Sequence, residues 1–283
     1  MSLYKYLDSS RICIIEEGLI RFTQPGAFND PFEMQPFFQS LASEDYIEKQ
    51  FFSEIDNTLK AEYEKQTPLF NNVIPHKFIQ QFTSIKQKDM LDKLKQYSGE
   101  IVKILNQSIL AEFDKKIGIL SLTEKHNNIL MWAHYAESHQ GFIIEFDENH
   151  LFFTDKLPSR DASRQLRKIV YSHLRPNLTL IDVNNIDVLL TKSKDWEYEQ
   201  EWRMILPLDE CKKRISKKPY DICLFSFPSS VIKSIIMGCR MTLANKNKLR
   251  RIIKDISEYA HVKLFETHLE KDKYNIYIKE VTM

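Results

Sequence analysis

Apolar residues cluster most densely in the middle of the chain, in three short segments separated by polar residues. Residues 119–122 form an apolar run that is too short for a helix and follows Gly118, so they predict a strand. Residues 128–136 carry apolar side chains at helical spacing, and residues 142–146 form a second apolar run. The pattern therefore predicts a strand, a short helix and a second strand, in that order.

The predicted helix of this central segment has two different faces. Asn127 or Asn128 can accept from the free amides of its first turn, and Gly141 lies where a left-handed residue would end it. One face carries Met131, His134, Tyr135 and Ser138, and the other carries Ile129, Trp132 and Ala136. Taken singly, Trp132 and Tyr135 could be core residues and His134 a hydrogen-bonded spacer. Taken as a group, the residues of this helix are typical of the wall of a binding site.

The N-terminal segment alternates between strand patterns and turns. Residues 3–7 and 19–23 are short, rich in aromatic or branched side chains, and predict strands. Ser9 or Ser10 can cap a short helix that ends at Gly18.

Residues 24–33 predict an ordered, tightly turned loop. They hold two prolines, a glycine and an Asn-Asp pair, and Phe28 and Phe32 would pin the loop to the core. Asn29 and Asp30 either bond only their own backbone or contact a ligand, and the sequence leaves both interpretations open.

Residues from about 43 to 116 change to a polar, charged composition and predict a helical insertion. Their apolar positions recur every four residues at Ile47, Phe51, Ile55 and Leu59. Three helix-breaking residues divide the segment into three predicted helices: Pro68, Pro75 and Gly99. We expect a structural subdomain, a lid or a surface for a partner protein.

The second half of the chain returns to strand patterns. Predicted strands lie at 168–171, 220–227, 232–237, 262–268 and 274–281, the last two forming a hairpin. Within 192–207 a polar turn is predicted to lead into a further strand, with the acidic residues at its start. Helices are predicted at 186–190 and after the cap Thr242, and the basic residues 160–168 suit a solvated loop or helix better than a phosphate site. The fold class that follows is α+β, with mixed, mostly antiparallel sheets and flanking helices. We expect a single domain, 1–283, with the helical subdomain inserted at about 43–116.

Composition excludes several classes of protein. Forty basic residues against 39 acidic ones give a net charge of +1, which favours neither nucleic acid nor a membrane surface. The four cysteines form no C-x-x-C pair, so neither a zinc site nor a disulfide framework is predicted and no metal is expected. Charged residues interrupt every apolar run that could form a signal peptide or a membrane helix, so we expect a cytoplasmic protein.

The sharpest chemical signal is Glu199-Gln200-Glu201. On an extended chain alternate residues share a face, so the two carboxylates would lie side by side and one pKa would rise. Such a pair can hold a ribose hydroxyl and stabilise an oxocarbenium-like centre, while Trp196, Tyr198 and Trp202 could stack a flat ring. Alternatively, Glu199 or Glu201 pairs with Arg203 or a lysine. Catalytic serine elbows, phosphate-binding glycine loops and zinc-protease motifs do not occur in the sequence.

Five motifs together resemble a bacterial family, the domain-of-unknown-function family 2971, from near residue 3 to near residue 281. The motifs are Leu3-Tyr4-Lys5-Tyr6, Phe28-Asn29-Asp30-Pro31-Phe32-Glu33, Ser121-Leu122-Thr123-Glu124, Leu130-Met131-Trp132-Ala133-His134-Tyr135-Ala136 and Trp196-Glu197-Tyr198-Glu199-Gln200-Glu201-Trp202-Arg203. This resemblance implies no particular activity.

A weaker resemblance, to toxin-like ADP-ribosyltransferases, rests on Lys5 (or Arg21), Ser121-Leu122-Thr123 and Glu199-Gln200-Glu201. It implies that NAD is the substrate, that Glu201 bonds the nicotinamide ribose and that Glu199 orients the acceptor. The serine strand would support the nicotinamide pocket, and the first-strand cation would meet the phosphates. The catalytic residues expected are Glu201 and Glu199; the NAD-binding residues expected are Lys5, Tyr6, Arg21, Asn29, Asp30, Ser121, Thr123, Trp132, His134 and Tyr135.

Three functions therefore compete. The first is an NAD-consuming, ADP-ribosyltransferase-like enzyme that modifies a protein or nucleic-acid acceptor in bacterial stress or phage defence. The second is a non-catalytic sensor or interaction module whose helical insertion binds a partner protein. The third is a metal-dependent nuclease that uses Asp30, Glu33 and Glu124.

Overall fold

The computed structural model describes residues 2–33, 38–65, 76–154, 164–176, 178–179 and 189–281. Pro68, Pro75, the basic residues 160–163 and the first part of the helix predicted at 186–190 lie outside these ranges. The chain divides into two compact units. One comprises Met1–Gln35, Glu112–Arg175 and Ile186–Met283, and the other comprises Pro36–Ala111 and Pro176–Asn185. The expectation of a single domain with an insertion stays a prediction.

Strands dominate the first unit, and those in its described residues form three sheets. The strands of both units are β1 (Ser2–Leu7), β2 (Leu19–Phe22), β3 (Phe38–Ser40), β4 (Ile117–Thr123), β5 (Phe142–Asp147), β6 (Arg167–Lys168), β7 (Val170–Ser172), β8 (Leu178–Thr179), β9 (Thr191–Ser193), β10 (Glu201–Pro207), β11 (Lys213–Ile215), β12 (Ile222–Ser226), β13 (Ile232–Met237), β14 (Lys263–Leu269) and β15 (Ile276–Glu280). The largest sheet has the order β15-β14-β13-β5-β1-β4-β10-β6, and a second has the order β11-β12-β2. Antiparallel pairs predominate, which confirms the predicted fold class.

The described part of the chain also contains helices in both units. They are α1 (Cys13–Glu17), α2 (Glu44–Glu64), α3 (His76–Lys116), α4 (Ile129–Tyr135), α5 (Leu151–Thr154) and α6 (Leu243–Asp255). The Asn128 side chain accepts from the Met131 amide at the start of α4, and Thr242 accepts from the Asn245 amide at the start of α6, as predicted. Helix α6 connects β13 to β14, which are parallel neighbours in the large sheet.

The turn after α4 corrects one prediction. Gly141 is not the left-handed residue; instead Glu137, Ser138 and His139 have φ values of 48°, 52° and 72°. Gly141 is needed for a different reason, because a Cβ atom there would collide with the Leu7 carbonyl oxygen.

The second unit contains α2 and most of α3. The predicted break at Gly99 is wrong, since α3 continues through it. Nothing lies within 4 Å of where a Cβ of Gly99 would stand, so this glycine faces open space. In the described residues of this unit, β3 and β8 form a two-stranded parallel sheet.

The core of the first unit covers both faces of the large sheet. Trp132 is fully buried beside Tyr6, Ile143 and Ile236 on one face, and Leu3, Phe22 and Phe146 belong to the cluster on the other. One smaller expectation is wrong: Phe32 is 65% exposed and does not pin its loop to the core. No helix among the described residues is long and apolar enough to cross a membrane.

Candidate functional site

A cavity of about 120 Å³ opens in the first unit where three neighbouring strands, β1, β4 and β10, meet α4 and the loop before residue 33. Its lining residues are Tyr4, Lys5, Tyr6, Thr23, Phe28, Asn29, Glu33, Ser121, Leu122, Thr123, Met131, Tyr135, Lys192, Glu199 and Glu201. Thr123 lies opposite Tyr4 on one side and Glu201 on the other. The sheet order therefore brings the three motifs of the second resemblance to one place.

The backbone conformation that brings Glu199 and Glu201 together differs from the one predicted from the sequence. Glu199 ends a 3₁₀ helix, Glu201 begins β10, and Gln200 between them is left-handed with φ 43°. The expectation of an extended Glu-x-Glu is therefore wrong, because the chain turns at Gln200 instead of continuing straight.

Lys192 holds the two carboxylates together. Its Nζ donates to Glu199 Oε2 at 2.6 Å and to Glu201 Oε2 at 3.0 Å, and it lies 3.6 Å from Glu33 Oε2. The ammonium also lies 4.9 Å from the Trp196 ring centroid. Burial opposes the charged form of Lys192, but Glu201 and Glu199 outweigh it and raise its pKa.

Arg203 completes the network below the cavity. Its Nε donates to Glu201 Oε1 at 2.7 Å and a terminal nitrogen donates to Glu201 Oε2 at 3.1 Å, a two-pronged contact. The same guanidinium pairs with Glu33 and donates to the Leu189 carbonyl at 3.0 Å. Arg203 is fully buried. The alternative that Glu201 pairs with Arg203 is thus what the structure contains.

The remaining hydrogen bonds fix the backbone and the outer carboxylate. Tyr135 Oη donates to Glu199 Oε1 at 2.6 Å, and Asn29 Nδ2 donates to Tyr135 Oη at 3.4 Å. Thr123 Oγ1 donates to the Glu199 carbonyl, so this hydroxyl holds the turn as well as lining the cavity. The Glu201 amide donates to Tyr171 Oη at 2.8 Å.

Burial governs the protonation of Glu201. Burial raises its pKa, the charge of Lys192 offsets part of that rise, and the nearby Glu199 charge adds to it. Glu33, Glu199 and Glu201 contribute three negative charges, against two positive charges from Lys192 and Arg203. The network alone therefore has a formal charge of −1.

Lys5 is the third cation of the cavity and is bound differently. Its Nζ donates to the Ser121 carbonyl at 2.9 Å, and within the described ranges no carboxylate forms an ion pair with it. Burial lowers the pKa of Lys5 to about 8, although Glu201 acts in the opposite direction and Arg21 adds to the lowering. Lys5 thus keeps donor capacity that no described residue uses.

A second cavity of about 400 Å³ shares Lys5, Tyr6, Thr23 and Tyr135 with the first. Arg21 lines it, and among the described residues its buried Nε has no hydrogen-bond partner. Other cations on this wall are paired, Arg11 with Asp8 and Lys213 with Glu17. The first cavity is thus lined by buried carboxylates, and the second by an arginine whose Nε has no partner among the described residues.

Four expected residues lie away from the first cavity lining, and one of them, Arg21, lines the second cavity only. Trp132 is buried beneath Tyr6, with its ring centroid 5.3 Å away and its Nε1 donating to the His126 carbonyl. His134 is exposed and contacts Tyr135 edge-on. Asp30 is buried and accepts from the Phe32 amide, so it bonds its own loop.

The sequence analysis allowed a lysine to pair with Glu199 or Glu201, but it did not identify Lys192 and did not connect Glu33 with the glutamate pair. No local signal marks Lys192, which stands in an ordinary polar segment, and Glu33 and Arg203 are 170 residues apart. Glu33 pairs with Arg203, and Glu124 accepts from Trp202 at 2.8 Å and from Lys168 at 2.7 Å. In the part of the chain that is described, no three His, Cys, Asp or Glu side chains gather where they could hold a metal.

Comparison with known proteins gives one match. The model of a family described as a protein of unknown function (DUF2971) matches residues 131–204. That segment contains Tyr135, Lys192, Glu199, Glu201 and Arg203 but not Lys5, Ser121 or Glu33, so it covers part of the span over which the resemblance was expected. No curated protein and no solved structure matches the chain.

Proposed function

We propose that this chain is an NAD-consuming enzyme of the ADP-ribosyltransferase type, with the nicotinamide ribose in the first cavity. The observation that supports it is the convergence of Lys5, Ser121 to Thr123, and Glu199 to Glu201 on one cavity. These segments are more than 70 residues apart from one another in the chain, and the strand order β1-β4-β10 makes them neighbours.

The reaction would break the bond between ribose C1′ and the nicotinamide nitrogen. Nicotinamide leaves with the bonding electron pair and becomes neutral, and an acceptor oxygen or a water oxygen bonds C1′ and releases its proton to solvent. Positive charge develops on the ribose ring in the transition state, where a fixed carboxylate stabilises it more than in the ground state. Glu201 would take this role, and Glu199 would orient the acceptor.

The second cavity supports the same proposal. It adds about 400 Å³ beside Lys5, which a dinucleotide needs beyond the small first cavity. Arg21 and Lys5 would face the phosphates, because both keep donors that the described protein groups do not use. The acceptor would be a protein or a nucleic acid, and bacterial stress or phage defence would be the setting.

The experiment compares nicotinamide release and thermal stability in the wild type and in Glu201→Gln. The variant keeps the shape of the side chain but removes its charge, so NAD turnover is expected to fall about 100-fold or more, as on loss of one electrostatic stabiliser. Glu199→Gln is expected to impair transfer to an acceptor more than cleavage. Glu197→Gln, exposed and paired only with Lys194, is the matched control and should turn over NAD normally.

A non-catalytic binding module is the second candidate, and a specific observation favours it. Both oxygens of Glu199 and both oxygens of Glu201 already accept hydrogen bonds from Tyr135, Lys192 or Arg203. If the network is purely structural, Glu201→Gln lowers the melting temperature while NAD turnover is absent in the wild type as well. Wild-type protein that is folded and neither binds nor cleaves NAD at millimolar concentration would end the first proposal.

A further inference from the structure

Helix α3 carries an exposed apolar stripe within the second unit. The side chains are 42% to 64% exposed and follow one another at intervals of four, three, four and three residues: Met90, Leu94, Tyr97, Ile101 and Ile104. This alternation places them in one line along the helix, the seam of a coiled coil. The stripe spans about 21 Å at 1.5 Å per residue.

The packing of α3 within its own unit uses another face. Leu91 and Val102 are buried, and Lys95 donates to Glu48 at 2.8 Å and to Glu44 at 3.4 Å, both on α2. The stripe is therefore additional to the apolar face that the unit needs, and soluble proteins rarely leave such a patch uncovered.

The residues flanking the stripe indicate what covers it. On one flank, Leu91, Ser98 and Leu105 are buried or half-buried by the unit itself. On the other flank, Lys93 and Glu100 are exposed, seven residues apart. Among the described residues of α3, the flank with the two charges is therefore the one open to an approaching helix.

We propose that a second copy of this chain covers the stripe, with the two α3 helices antiparallel. In a parallel pair the open flank of one helix meets the opposite flank of the other, which here is occupied by the unit's own packing. In an antiparallel pair the open flanks meet each other. Lys93 then faces Glu100 of the partner subunit, and the two-fold axis repeats the contact.

The interface is small, and its strength follows from its size. Five apolar residues per subunit form a seam below the roughly 800 Å² per partner of a standard interface. The pair is therefore expected to dissociate with a Kd on the order of 10 µM, which corresponds to a modest free energy of association.

The first experiment measures the mass of the full chain by sedimentation equilibrium from about 1 to about 300 µM, a range that brackets this Kd. The wild type is expected to shift from monomer to dimer. Ile101→Glu should raise the Kd about 100-fold or more, since it places a charge in the centre of the seam. Lys103→Glu, an exposed change on the same helix outside the seam, is the control and should leave the Kd within about threefold.

The second experiment reverses the flanking charges. Lys93→Glu alone and Glu100→Lys alone each set like charges against each other, so each should raise the Kd about tenfold, and the double variant should return it to within about threefold of wild type. Circular dichroism confirms that each variant keeps its helices. A monomer at every concentration, or a dimer insensitive to Ile101→Glu, overturns the proposal. A dimer without compensation between the charge reversals overturns the antiparallel arrangement.

Discussion

Two walls of the candidate site, which comprises both cavities, bind their cations in opposite ways. On the β10 side, Arg203 and Lys192 are buried and bonded to three carboxylates, with distances of 2.6 to 3.1 Å to Glu199 and Glu201. On the β1 and β2 side, Lys5 bonds one carbonyl, and Arg21 Nε has no partner among the described residues. The first wall is complete, in the sense that its cations are paired with carboxylates of the protein, and the second wall is not.

This difference suggests that the ion-paired cations stabilise the fold, whereas the unpaired ones are free to bind a ligand. A buried ion pair is costly to break because the remaining charge has no water to stabilise it. An unpaired cation in a cavity costs stability until an anion arrives. The glutamates that the sequence marked most strongly are therefore also the most firmly held residues, while the basic residues keep the capacity for new contacts.

The largest expected effect comes from breaking the complete wall. Arg203→Met leaves Glu33 and Glu201 buried without their guanidinium, and should lower the free energy of unfolding by roughly 3–5 kcal/mol. Urea denaturation measures it. Arg250→Met removes a partly exposed arginine bonded to Glu266 at 2.8 Å, and should cost less than about 1 kcal/mol. Equal losses of unfolding free energy in the two variants would show that the buried network contributes no more to stability than an exposed ion pair.

A second test draws the same contrast within α4. Trp132→Ala should cost roughly 3–5 kcal/mol, because truncation of a fully buried tryptophan leaves a cavity. His134→Ala, on the exposed side of the helix, should change stability by less than about 0.5 kcal/mol. Equal shifts in melting temperature would place His134 in the core and remove it from any site.

The smallest effect has the opposite sign. Lys5→Met removes a cation that burial disfavours, and should stabilise the chain by about 1 kcal/mol near pH 7 after loss of its bond to Ser121. The same variant should bind NAD about tenfold more weakly or worse, because a phosphate loses a charged donor. Lys263→Met, at an exposed lysine, is the control and should change neither quantity. A destabilised Lys5→Met would mean that Lys5 belongs to the complete wall.

The pH dependence of that gain follows from the direction of the shift. Lys5 has a pKa of about 8 when folded and an ordinary value of 10.5. Between these values the unfolded chain holds more protons, so wild-type stability rises with pH across this window. Below it the cost of burying the charge is fully present, and above it both states are neutral. The stability difference between wild type and Lys5→Met should therefore shrink as the pH rises from 8 to 10.5.

Local signals in the sequence predicted much of the fold. Asn128 and Thr242 cap their helices as expected because a cap depends on residues three positions apart. The run at 119–122 and the alternation at 3–7 became β4 and β1 because hydrophobic periodicity is also local.

The contacts of the site could not be predicted in the same way. Lys192 contacts both glutamates across a left-handed turn at Gln200, and no local pattern in the sequence predicts that turn. Glu33 reaches Arg203 through the tertiary fold of two distant segments. Gly141 was misinterpreted because its neighbour in space, the Leu7 carbonyl, is not its neighbour in sequence.

Gly141 and Gly238 also have a consequence for sequence divergence. The Gly238 amide donates to the Gly141 carbonyl at 2.9 Å, and the Arg240 amide donates to the His139 carbonyl at 3.1 Å. A Cβ at either glycine would collide with a carbonyl oxygen. Steric collision therefore excludes any other residue at these two of the chain's six glycines, whether or not the activity changes. We therefore expect glycine at both positions in related chains whose cavity residues differ, so the two positions can guide their alignment.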